Sequence, residues 1–109
     1  MTVAPAVVVV LVTAPSRDVA EDLVSKVVEE RLAACGNIVP DVVSIYRWDG
    51  AVQRQPEVMI IFKTERAAVP RLLARIADLH PYDVPEALAL DVVAGLPPYL
   101  AWVAANAGG

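Results

Sequence analysis

A chain of 109 residues that is 57% hydrophobic and 20% charged has too much apolar content to stay disordered and the length of one domain. Its net charge of −4 and nine scattered Lys and Arg residues form no basic stripe for a phosphate backbone, so nucleic acid is not expected as a partner. The apolar excess over an ordinary domain predicts self-association, because a monomer would expose apolar patches.

The β-branched run at 7–13 reads as a central strand, to be covered on both faces. It is too short to span a bilayer, and no basic segment precedes it as in a secretory signal. A single cysteine, Cys35, allows no intrachain disulfide, so a cytoplasmic setting away from membranes is expected. Ala14-Pro15 ends the strand, and Ser16 offers an N-cap hydroxyl to a following helix. Asp18, Glu21 and Asp22 suit the positive end of that helix, and Ala20, Leu23, Val24, Val27 and Val28 make its apolar face. The helix is expected to end near Ala34, with Gly36 as its stop.

A strand at 37–48 and a returning strand at 57–64 follow, joined through Asp49-Gly50, a hairpin signal. Pro40 places the outgoing strand at an edge or a bulge, and Pro56 marks a similar irregularity on the return. A second helix starts at 67–69, so that Pro70 falls in its first turn, and carries Val69, Leu72, Leu73, Ile76 and Leu79 inward. His80 closes it and Pro81 prevents continuation. Residues 87–93 form the last strand, and Pro97-Pro98 opens a short helix with Tyr99, Leu100, Trp102 and Val103. This order predicts an α+β, ferredoxin-like (βαββαβ) sandwich with an added C-terminal helix, one domain over 1–109 with its core at about 7–103.

Several stretches, in their order and spacing, resemble the CutA family, named for divalent-cation tolerance. They are Val12-Thr13-Ala14-Pro15, Glu30-Arg31-Leu32-Ala33-Ala34-Cys35, Asn37-Ile38-Val39-Pro40, Ser44-Ile45-Tyr46-Arg47-Trp48-Asp49-Gly50, Lys63-Thr64, His80-Pro81-Tyr82-Asp83-Val84-Pro85-Glu86 and Tyr99-Leu100-Ala101-Trp102. The resemblance runs over nearly the whole chain, from Val7 to Trp102. It implies a homotrimer in which the long hairpin strands pair across subunits, an architecture that also resembles PII signalling proteins. It further implies a role in divalent metal tolerance, with copper(II) or another divalent cation, or a small ligand, held at intersubunit clefts. Neither an organic cofactor nor catalysis is implied. The residues themselves ask for such a partner, since the hairpin over 37–64 is long and its outer edge would otherwise stay open to pairing.

His80 is the single histidine. Its simpler reading is a helix-end residue meeting the last carbonyls. Tyr82, Asp83 and Glu86 nearby make a metal reading worth carrying, with His80, Asp83 and Glu86 as ligands of a borderline ion such as copper or zinc. These fall short of a closed four-ligand site, so a subunit boundary would have to add donors. Val12 stands where some members of the family place a cysteine, which removes a soft copper ligand. Cys35 reads as a small buried hydrophobe rather than a nucleophile. Lys63 reads as an exposed strand end, and Tyr46 and Trp48 as packing residues. No phosphate loop, dinucleotide fingerprint or serine elbow occurs. The alternatives are a PII-like trimeric small-molecule or nucleotide sensor, or an assembly scaffold without direct metal binding. An enzyme using His80 as acid or base comes last, for want of any sign of a substrate.

Overall fold

The structure, a computed structural model, describes residues 6–108. β1 (Val7–Ala14) lies inside a four-stranded antiparallel sheet of order β2-β3-β1-β4. Side chains alternate across a strand, so Val8, Val10, Val12 and Ala14 share one face. On that face they form the main core with Ile60 and Phe62 of β3 (Ala51–Glu65) and with the apolar stripes of α1 (Arg17–Glu29) and α2 (Val69–Leu79). The other face carries Val7, Val9 and Leu11, with Leu88 and Leu90 of β4 (Ala87–Asp91) beside them in register. The predicted cover on both faces is therefore only partial within one chain. α3 (Pro97–Asn106) packs over Val7 and Ala34 through Val103, while Leu88 and Leu90 stay exposed.

Ser16 caps α1 as expected, its hydroxyl accepting from the Val19 amide at 3.2 Å. The helix nevertheless ends at Glu29, before the predicted Ala34. Arg31 takes the left-handed conformation at φ 62°, and the amides of Leu32 and Arg31 turn back to the carbonyls of Val27 and Val28 at 2.9 and 3.0 Å. That is a Schellman stop built on an arginine in place of glycine. The Arg31 guanidinium also donates to the Ala105 carbonyl at 2.8 Å, and the Arg31 carbonyl accepts from the Gly108 amide at 2.7 Å. Long-range contacts with the chain's C-terminal end thus accompany the strained turn. Gly36 is no helix stop at all. It lies in β2 (Cys35–Trp48), where a Cβ would come 2.9 Å from Val24 Cγ1 and 3.1 Å from the Phe62 ring. Its missing side chain lets the sheet approach α1.

The β2–β3 hairpin turns at Asp49-Gly50 with φ of 51° and 78°, the positive values that the twist of a two-residue hairpin favours. Pro40 fulfils both of its expectations: β2 is the sheet edge, and the register shifts between Val39 and Val42 with Asp41 at φ 62°. Pro56 causes no such break, because Val43↔Pro56 continues the register next to Val42↔Glu57. β1 reaches β3 only from Val58 onward. Before that point the sheet is two strands wide, and no third strand needs the missing N–H of Pro56. β3 also starts at Ala51 rather than at 57, since pairing with β2 holds the polar stretch before the core residues. The molecule is consequently elongated, 53 × 25 × 22 Å.

α2 follows a 3-10 turn (Arg66–Ala68) with Pro70 tolerated in its first turn. Arg75 donates through Nε and Nη2 to the two carboxylate oxygens of Glu30, both at 2.9 Å, and ties α2 to the end of α1. This pairing holds the Glu30 carboxyl below the usual carboxylate range. His80 closes α2 in extended conformation, its amide donating to Ile76. β4 stops at Asp91, short of the predicted 93, and the next helix begins at Pro97 as expected.

Candidate functional site

Three pieces of chain meet at the end of β1 that lies farthest from α3: the β1 terminus, the projecting hairpin, and the turn after α2. His80 joins the first to the last. The side chain is buried, with 7% exposure, and its Nε2 lies 2.7 Å from the Thr13 carbonyl. Its Nδ1 accepts from the Tyr82 amide at 3.2 Å. A nitrogen that accepts an N–H carries no proton, so the ring proton sits on Nε2 and is donated to Thr13. Both nitrogens are thus engaged inside the chain, and the imidazole fixes the turn 81–86 against β1.

That turn presents Tyr82, Asp83 and Glu86 to a cavity of about 750 Å³, whose opposite wall is Ser44, Tyr46, Trp48 and Glu57 of the hairpin. Asp83 and Glu86 are exposed; the structure brings them to one cavity and sets His80 behind its wall. Glu57 is the cavity residue that the sequence reading missed. It is 9% exposed, and its Oε2 accepts from the Tyr82 hydroxyl at 2.7 Å. The signal was available: a carboxylate in phase with Met59 and Ile61, placed just ahead of an apolar run, points to the sheet face rather than to open water. Among the described residues no lysine or arginine lines the cavity.

Burial first, then the hydrogen bond to Glu57 and its charge, push the Tyr82 phenol well above its ordinary pKa. The folded chain therefore keeps a proton that the unfolded chain releases near pH 10. The stability linked to this phenol is fully present below that pH and is lost as pH rises beyond it. Ultraviolet titration should show Tyr82 and Tyr99 lagging behind normal tyrosinate formation, and Tyr82→Phe should remove one phenol from the lagging part. An unchanged curve in the variant would contradict the Tyr82–Glu57 contact.

The remaining candidates lie elsewhere. Cys35 is half-buried, its Sγ 3.6 Å from the Tyr99 hydroxyl under α3. The contact raises the Tyr99 phenol above its usual range. Lys63 donates to the Asn37 side chain and is half-buried, rather than a free strand end. Val12 is fully buried in the core on the helix side of the sheet, away from the cavity. Within one chain, then, the donors facing the cavity are oxygens. The nitrogen and sulfur ligands that copper prefers do not face it. Among the described residues no three His, Cys, Asp or Glu side chains gather as a metal-holding group.

Comparison with known proteins matches residues 8–106 to the family described as CutA1 divalent ion tolerance protein. The divalent-cation tolerance protein CutA of Thermus thermophilus is 49% identical over 92% of this chain and 97% of its own length. A solved structure of the CutA1 divalent cation tolerance protein from the same organism superimposes with a TM-score of 0.91 at 48% identity, covering 94% of this chain and 99% of that one. The chloroplastic protein CutA of Arabidopsis thaliana is 42% identical over 88% of this chain, which spans only 53% of that relative. None of these names carries an enzymatic activity.

Proposed function

Since the chain belongs to the CutA1 divalent ion tolerance family, we propose that it is a homotrimeric cation-tolerance protein that takes up a divalent metal ion or small ligand in the clefts between its subunits. It acts by binding, not catalysis, and its setting is the cytoplasm. The element order and the strand order β2-β3-β1-β4 support a ferredoxin-like sandwich with one added helix, a single domain over the whole chain. Two features support the assembly. The hairpin leaves an outer β2 edge and an unpartnered β3 edge before Val58. Val43, Ile45 and Val52 on it are exposed, as are Leu88 and Leu90 on the open sheet face. Strand edges and apolar patches of this kind are covered in soluble proteins.

The observation that carries the binding reading is Glu57, a carboxylate nine-tenths buried in a cavity without a basic side chain. Its one side-chain partner among the described residues is the neutral Tyr82 hydroxyl, so a cation in the cavity would supply the counter-charge it lacks. Asp83 and Glu86 add acidic oxygens at the same cavity. Copper(II) at His80, Asp83 and Glu86 requires one of the two hydrogen bonds of the ring to open. Hard divalent ions, which take oxygen ligands, require no such change. Calorimetric titration of copper(II), zinc(II) and magnesium should give saturable binding in the wild type that is at least about tenfold weaker in Glu57→Gln, as loss of a charged ligand costs more than about 1.4 kcal/mol. Binding that is absent from the wild type, or equal in the variant, would count against the site.

A further inference from the structure

We propose that the cavity between the hairpin and the turn after α2 is built for an organic ammonium ion, recognised by aromatic rings that share its lining with a buried carboxylate. The proposal rests on reading the cleft as a cation site and names the class of cation. Four observations favour an alkylammonium over a bare metal ion. First, Glu57 supplies a negative charge that is 9% exposed and takes part in no ion pair with lysine or arginine among the described residues. One of its oxygens accepts from Tyr82, and its charge is left for a ligand.

Second, Tyr46, Trp48 and Tyr82 line the same space with 41%, 50% and 37% of their surfaces exposed. Aromatic faces attract cations through the ring quadrupole, most strongly weakly hydrated ones such as substituted ammonium ions. A tightly hydrated metal ion gains little from three rings, and apolar rings facing water gain from the alkyl part of a ligand. Third, His80 has both nitrogens committed to Thr13 and Tyr82, which removes the nitrogen donor a borderline metal would select. Fourth, about 750 Å³ is the volume of a small-molecule pocket, well beyond what one ion fills. An ammonium N–H meets carboxylate and hydroxyl acceptors here, and its carbons meet the rings.

The test is calorimetric titration at low ionic strength with n-butylammonium and tetramethylammonium chloride, with tert-butanol as an uncharged probe of similar size and zinc(II) and magnesium in parallel. Saturable binding of at least one ammonium salt is expected, with none of tert-butanol. Glu57→Gln should weaken it about tenfold, as expected for loss of a charge pair, and Trp48→Leu about two- to fivefold, as expected for a cation–aromatic contact at a half-exposed ring. Trp48 belongs to neither core cluster of the chain, so its replacement spares the core, and an unchanged mass in solution shows that assembly survives and keeps the test readable if Glu57→Gln unfolds. Ammonium heats no larger than those of sodium chloride, or matched by tert-butanol, overturn the proposal. If zinc(II) or magnesium still saturates a Glu57-dependent site, the ammonium assignment alone fails; if no cation binds, the cation reading of the cleft fails with it.

Discussion

Replacing Phe62 with alanine should lower the unfolding free energy by about 3–5 kcal/mol, the range for truncating a buried aromatic. Phe62 is the largest fully buried side chain among the described residues and lies on β3 between the two neighbours β2 and β1. Its ring sits against the backbone of Gly36 on one side and shares the core with Val10, its partner in register. Close packing on this side is so tight that even one methyl at Gly36 has no room, and a cavity left by the ring cannot collapse without moving a strand. Urea unfolding at fixed protein concentration measures the effect, since association adds to the apparent stability. A loss below about 1 kcal/mol, within the range of exposed-site substitutions, would contradict the packing described for the core.

His80→Ala should cost about 3 kcal/mol, combining a small cavity with a buried Thr13 carbonyl and a Tyr82 amide left without their partner. The local consequence is more specific than the stability change. Without the imidazole, nothing holds the turn 81–86 to β1 in the same way, and Tyr82 loses its alignment with Glu57. Amide hydrogen exchange at Tyr82 should accelerate strongly while exchange in the middle of β1 follows global unfolding. Protection at Tyr82 that survives the substitution would show that the prolines and the hydroxyl contact hold the turn unaided.

Much of this fold was legible in the residues. The alternation and run lengths placed each strand and helix, Ser16 gave the cap, Asp49-Gly50 the turn, and Pro40 both the edge and the bulge. The errors share a cause, which is tertiary contact overriding a local signal. Gly36 looked like a helix stop, yet its role is set by Val24 and Phe62, far apart in sequence from each other. Arg31 is an unusual residue for a left-handed turn, and the bonds it makes to Ala105 and Gly108 are invisible in a local window. The returning strand was expected only from 57 because residues 51–56 pair with β2 and add nothing to the core.

The candidate site was half legible. The motif from His80 to Glu86 drew attention to the turn after α2, and the structure places Asp83 and Glu86 there on one cavity. His80 attracts attention as the lone imidazole, but only geometry reveals that each nitrogen already has a partner. Glu57 escaped notice because a glutamate at the start of a strand ordinarily faces water. Burial, and a hydroxyl arriving from a turn late in the chain, single it out in the cavity wall.

The most direct measurement is sedimentation equilibrium of the purified chain over a wide concentration range. A mass three times the 11.6 kDa of one chain, constant on dilution, is the predicted result, with the hairpin edges and the exposed Val43, Ile45, Val52, Leu88 and Leu90 covered by neighbouring subunits. A stable mass of 11.6 kDa would contradict it, leaving those apolar faces in water and the acidic cavity as a cleft in a lone subunit.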